Sequence, residues 1–98
     1  MNQITARYED GLKAALIDPL EAAAYLNAAL EENDQEVFLL ALRDVCEARG
    51  FSQVSHETML NRENLYRMCR QRETPSFPRL NALLHSFGLR LAVEVEYA

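Results

Sequence analysis

Helix start and stop signals punctuate this chain at short intervals, and they leave room for a set of short helices rather than a sheet or one long coil. Asp18 followed by Pro19 makes an N-cap and first-turn pair ahead of a helix over residues 20–32. Tyr25, Leu26, Ala29 and Leu30 form its apolar stripe. Asn33 and Asp34 break that helix and cap the next, Gln35 to Arg49, which stops at Gly50, a residue favoured where a helix ends in a left-handed turn. This is the firmest boundary in the sequence. Upstream, Tyr8 to Leu16 reads as a first short helix. Downstream, Ser52 is a good N-cap for a helix reaching about Met59, and Asn61 caps another from Arg62 to about Arg70. Thr74, Pro75 and Ser76 make a loop, after which Phe77, Leu80, Leu83, Leu84 and Phe87 recur at the helical period until Gly88, the pattern of a core-facing helix.

The tail changes period. Leu91, Val93, Val95 and Tyr97 alternate with Ala92, Glu94 and Glu96, which predicts a short β-strand. A lone strand leaves its backbone groups unpaired, so it needs a partner within the fold, in a second copy or in another protein. A homodimer is the simplest of these. The expected fold is therefore all-α, with about five helices and one C-terminal strand. Its single domain divides into an N-terminal helical extension (1–33), a helical core (34–88) and the strand (89–98).

Nothing in this length points to a second core, and with 49% apolar residues, few Gly and few Pro the chain is neither disordered nor of low complexity. No apolar run is long enough to span a bilayer and no secretory start is visible, so a cytoplasmic protein is expected. Cys46 and Cys69 lack the paired neighbours of a zinc site and read as reduced core thiols. His56 and His85 read as surface histidines. With no nucleophile, base and orienting group in a recognisable spacing, neither catalytic residues nor a metal or cofactor is expected.

The net charge of −5 argues against a nucleic-acid partner until it is mapped along the chain. Residues 1–48 hold ten acids against three bases, −7, whereas residues 49–90 hold seven arginines against three acids, +4. Because distant charges are screened beyond about 8 Å at physiological salt, a local basic patch can track phosphates despite the total.

The stretch from Ser52 to Arg67, S-Q-V-S-H-E-T-M-L-N-R-E-N-L-Y-R, places Val54, Thr58, Leu60, Leu65 and, just beyond, Met68 inward. Ser52, Gln53, Asn61, Arg62, Glu63, Asn64, Tyr66, Arg67 and Arg70 remain as candidates for contact with DNA. Arg pairs with the guanine edge and Asn with adenine, while Ser or Gln at a helix N-terminus can hold a phosphate. The same pattern also suits a solvated helical hairpin whose arginines serve only solubility. In the acidic half, Glu31, Glu32, Asp34 and Glu36 make either a solvated helix junction or, with Leu40 as an apolar anchor, a docking surface for a basic protein.

The stretch resembles the helix-turn-helix of Xre/Cro-type repressors, and Tyr8 to Val95 resembles one branch, the addiction-module antidote proteins. The likeness rests on D-P-L-E-A-A-A-Y-L-N-A-A-L-E-E (18–32), A-L-R-D-V-C-E-A-R-G (41–50), S-Q-V-S-H-E-T, R-E-N-L-Y-R, P-S-F and L-L-H-S-F-G-L-R-L. The resemblance implies an antitoxin similar to the HigA group, which binds a small RelE/ParE-type toxin and represses its own operon by binding operator DNA. Glu31, Glu32, Glu36 and Leu40 are then candidates for toxin contact. A free-standing Cro-like regulator without a toxin is the alternative, and an interaction module that no longer binds DNA a third. The sequence departs from the repressor pattern at Met59, where the turn usually carries Gly, and at Ser55, where a small Ala usually packs. A Met held at positive φ costs on the order of 1 kcal/mol, which puts the standard turn in doubt.

Overall fold

The computed structural model describes residues 11–71 and 73–97. They form six helices: α1 over residues 11–16, α2 (Pro19–Glu31), α3 (Gln35–Arg49), α4 (Phe51–Thr58), α5 (Arg62–Cys69) and α6 (Phe77–Ser86). The part of the expected first helix at 8–10 lies outside the described residues. Among the described residues no helix is long and apolar enough to cross a membrane.

Four of these helices begin where an oxygen-bearing side chain can take up a free amide. Asp18 accepts from the Leu20 amide at 2.9 Å, Asp34 from Glu36 at 2.9 Å, Asn61 from Asn64 at 2.7 Å and Ser76 from Arg79 at 3.4 Å. Each such cap stabilises by about 1 kcal/mol. α4 differs from the expectation that Ser52 caps it. The chain turns at Gly50, whose φ of 90° suits glycine, so the helix starts at Phe51 and has no side-chain cap. Phe51 is drawn onto the core, which leaves Ser52 one position inside the first turn.

α3 is the axis. It packs against α2 on one side and against α4 and α5 on the other, while α6 lies on α4. α3 contributes Leu39, Ala41, Leu42, Val45 and Cys46 to one continuous core, α2 contributes Ala22, Leu26 and Ala29, and α5 contributes Leu65, Met68 and Cys69. Leu16, Val54, Leu83, Leu84 and Phe87 complete it, and among the described residues no polar or charged one is fully buried. Two stripes are narrower than expected. Ala22, Leu26 and Ala29 form the α2 seam, so Leu30, one position round the helix, is exposed. α6 meets the core from Leu80 onward, so Phe77 in its first turn is exposed as well.

Contacts distant in sequence fix the ends of the helices. At the C-terminal end of α3, Arg49 donates to the carbonyls of Ile17, Ser86 and Phe87 at 3.0–3.2 Å, and its guanidinium lies over the Phe87 ring. One side chain thus caps the ends of α1 and α6 together. Gly88 follows with φ 79°, pressed against Pro19 so closely that a Cβ there would approach the proline ring to 3.2 Å. Cys46 and Cys69 are free and buried, and their thiols share a hydrogen bond at 3.1 Å, joining α3 to α5. That hydrogen-bonded pairing, with burial, pushes the Cys46 thiol far above the ordinary range, so it stays protonated.

The expected strand at Leu91 to Tyr97 is not formed. The Leu89 amide still bonds to the Leu84 carbonyl, but residues 90–97 make no hydrogen bond to any other described residue. The physical reason is the one that made a lone strand problematic: the rest of the described chain is helical and offers no edge to pair with.

Candidate functional site

The turn between α4 and α5 decides whether the two short helices make a usable unit. Met59 takes the left-handed conformation, φ 60° and ψ 16°, and its side chain is 91% exposed. The turn is therefore not rebuilt to relieve it. Hydroxyl groups close the backbone around it instead. Ser55 donates to the Leu60 carbonyl at 2.6 Å, and Thr58 donates to the Val54 carbonyl at 2.7 Å while accepting from the Leu60 amide at 3.2 Å. Ser55, a departure from the repressor pattern, is thus part of the clasp.

α5 is anchored inward by Leu65, Met68 and Cys69, with Asn64 half-buried and Arg62, Glu63, Tyr66, Arg67 and Arg70 outward. Asn61 spends its side-chain oxygen on the cap. Arg62 donates to the Ser52 hydroxyl, which brings together the first turns of the two helices. Gln53, exposed beside Ser52, bonds to Glu57 along α4. Arg67 pairs with Glu63 at 2.7 Å, one helical turn away, and both side chains are at least half exposed. Such a pair is worth only a few tenths of a kcal/mol and exchanges readily. Arg70 stands apart. It pairs with Glu47 of α3 at 3.1 Å and lies over the Phe51 ring, so it braces α5 against α3 and α4.

Two of the seven arginines that made residues 49–90 basic are therefore structural, Arg49 and Arg70. Neither role was visible in spacing, because their partners lie 19 to 38 positions away. The exposed charge of the α5 face is carried by Arg62 and Arg67 against Glu63.

On the other side of α3 an apolar groove of about 410 Å³ opens between α2 and α3. Tyr25, Ala28, Val37, Leu40 and Ala41 floor it, and Glu32, Arg43 and Asp44 rim it. The Tyr25 hydroxyl donates to Asp44 and ties the two helices across one end. Of the four residues read as a docking surface, the structure brings Glu32 and Leu40 into this groove. Glu31 and Glu36 are exposed at the neighbouring helix ends but do not line it. Tyr25 and Asp44 are among the lining residues that sequence reasoning missed. Tyr25 was placed in the core stripe of α2, where only its half-burial reveals that it looks outward as well.

Residues 12–95 match the family model described as "Probable addiction module antidote protein". An uncharacterized protein of Haemophilus influenzae strain Rd is 31% identical over 74 residues, 76% of each chain. No solved structure matches the chain. With the match running from α1 through the tail, this chain belongs to the addiction-module antidote family, whose members imply a toxin as partner.

Proposed function

We propose that the chain is the antitoxin of a type II toxin–antitoxin pair, a non-enzymatic, cytoplasmic protein that neutralises a RelE/ParE-type toxin and, as a homodimer, represses its own operon. The family carries the antitoxin part. One observation carries the DNA part: the Arg62–Ser52 contact holds the first turns of α4 and α5 together, on a hairpin whose exposed outer face carries little structural duty. This is the arrangement by which an Xre/Cro-type recognition helix enters a major groove and its neighbour meets the backbone.

In this reading Arg62, Asn64 and Arg67 address base edges, while Ser52, Gln53 and the uncapped amides at the start of α4 hold a phosphate. Asn61, Glu63 and Tyr66 line the approach, and Arg70 supports α5 from behind. Arg62 gives up Ser52, and Arg67 gives up Glu63, for DNA; both are exposed contacts with little to lose. The toxin takes the groove of α2 and α3, with Leu40 as the apolar anchor and Glu31, Glu32 and Glu36 steering a basic surface toward it.

Two measurements test this. Co-expression with the neighbouring small basic reading frame should rescue growth, and Leu40→Arg should abolish rescue in a folded protein. Binding to the chain's own upstream DNA should exceed binding to random DNA, and Arg62→Ala with Arg67→Ala should remove that preference while sparing rescue. Loss of rescue by the arginine pair and not by Leu40→Arg would place the toxin on the basic face and refute the two-sided reading.

A further inference from the structure

We propose that Cys46 and Cys69 are a reversible disulfide site, which a hydroperoxide oxidises and an external dithiol restores, and that the bond staples the α4–α5 hairpin to α3. The site is independent of the antitoxin reading. The two sulfurs lie 3.1 Å apart and both residues are fully buried. A disulfide needs a separation of about 2.05 Å, so the sulfurs have to close by only about 1 Å. Their places in the chain matter as much as the distance. Cys46 belongs to the last turn of α3, and Cys69, 23 positions on, ends α5. The stretch between them takes in the Gly50 turn, all of α4, the Met59 turn and α5 itself. One bond therefore closes the whole hairpin into a covalent loop on the central helix. α4 and α5 have the most to gain from it, since each has eight residues and neither persists alone.

The surroundings make Cys69 the thiol that reacts first. The hydrogen bond from Cys46, helped by the Arg70 and Arg43 guanidinium groups, favours the Cys69 thiolate and holds its pKa below that of an ordinary thiol, against burial and the Glu47 carboxylate. Cys69 is also the thiol nearer an exit. It ends a short helix, and the residue after it, Arg70, is half exposed, pairs with Glu47 at 3.1 Å and lies over the Phe51 ring. Opening of that last turn, with α3 intact, admits a molecule as small as hydrogen peroxide. The Cys69 sulfur attacks one peroxide oxygen, the O–O bond breaks, and the other oxygen leaves as water, so Cys69 becomes a sulfenic acid. When the turn closes, the Cys46 sulfur attacks the Cys69 sulfur; the S–O bond breaks, and the hydroxyl leaves as water with the Cys46 proton. Two thiols have then given two electrons to one peroxide. A dithiol reverses the change by thiol–disulfide exchange and is itself oxidised, so in a reducing compartment the bond is transient.

Hydrogen peroxide added to the full, folded chain, followed by peptide mapping, tests this. The exposed Met59 takes up oxygen too, so the readout is the peptide pair joined through Cys46 and Cys69 and not the mass of the whole chain. That link should lie within one chain, form faster than the chain unfolds globally, and vanish on treatment with dithiothreitol. The oxidised chain should melt about 10 °C higher, and its α5 amides should exchange hydrogen about tenfold more slowly. Cys46→Ala should stop the reaction at a Cys69 sulfenic acid that dimedone traps, whereas Cys69→Ala should leave Cys46 unmodified at the same peroxide dose. An unchanged helical spectrum shows that each variant is folded, and the link in the unmodified chain is measured without them. The proposal is overturned if both thiols survive the peroxide, if Cys69 goes on to the sulfinic acid with no link, or if the link joins two chains. It is overturned too if the link forms no faster than global unfolding, if Cys46 is oxidised when Cys69 is replaced, or if the oxidised chain melts lower or its α5 amides exchange faster.

Discussion

The two helix pairs that flank the centre of this molecule are held by different means. α2 and α3, 13 and 15 residues long, meet along a continuous apolar seam with Tyr25 and Asp44 tied across it. α4 and α5 have eight residues each, too few to persist as isolated helices in water, and depend on α3 and α6 for burial and on side-chain clasps for their turn. The longer pair supports itself and can leave a groove open on its far side. The shorter pair is supported by everything around it, so its outward residues are released from structural work and can be chosen for recognition. Changes where α3 holds its neighbours should therefore be costly, changes in the short turn moderate, and changes on the α5 face nearly silent in stability.

The largest effect is expected at Arg49. Its three hydrogen bonds from a charged donor, with the Phe87 ring contact, bind the ends of α1 and α6 to the end of α3. Arg49→Ala should lower stability by about 2–3 kcal/mol, discounted from the sum of such bonds because part of the side chain is wet. Arg49→Lys should recover less than half, since a point-like ammonium cannot reach three carbonyls in a fork. Urea unfolding measures both. A loss under about 0.5 kcal/mol for the alanine variant would mean that the helices seat themselves without this tie, and the contrast between self-supporting and supported pairs would weaken.

The intermediate effect has the opposite sign. Met59 holds φ 60° with an almost wholly exposed side chain, so it bears the strain of the left-handed region and contributes little packing. Met59→Gly should raise stability by about 0.5–1 kcal/mol, the strain relieved less the extra freedom of glycine in the unfolded chain. The denaturation midpoint should rise with its slope unchanged. Destabilisation would show that the Met side chain does pack somewhere, and that the turn is held by more than the Ser55 and Thr58 hydroxyls.

Helix ends were readable wherever a local signal existed. Asp18, Asp34, Asn61 and Ser76 are short-range caps, and Gly50 and Gly88 are stops whose positive φ follows from their chemistry. What escaped notice acts at long range. Ser52 reads as a cap because its neighbours permit it, but Phe51 is pulled under by the core and Arg62, ten positions on, takes the hydroxyl. Arg49 and Arg70 look like surface charge until their distant partners are in place. The alternation at 91–97 was legible; whether it becomes a strand depends on a partner that one copy of the sequence does not contain.

The smallest effect in stability, and the most discriminating for function, is expected at Glu63. It holds Arg67 at 2.7 Å on the outer face of α5, with 70% of its own side chain exposed. Glu63→Gln should cost less than about 0.5 kcal/mol, the usual worth of an exposed pair one turn apart. On DNA its effect depends on what the carboxylate does. If it only restrains Arg67, removing one negative charge from the face proposed to meet phosphates should strengthen binding to operator and random DNA alike, by a few-fold at low salt and less at high salt. If the carboxylate accepts a hydrogen bond from a cytosine amine, the same change should weaken operator binding by about 1–3 kcal/mol and leave random DNA unaffected or better bound. The Arg67 pair favours the first outcome, because a carboxylate already engaged by its own helix is a poor reader. Toxin capture should not change in either case, since the groove between α2 and α3 proposed for the toxin lies on the other side of α3 from this face. A measurable change in capture would mean that the supported pair and the self-supporting pair meet the same partner, and the division of labour between them would have to be abandoned.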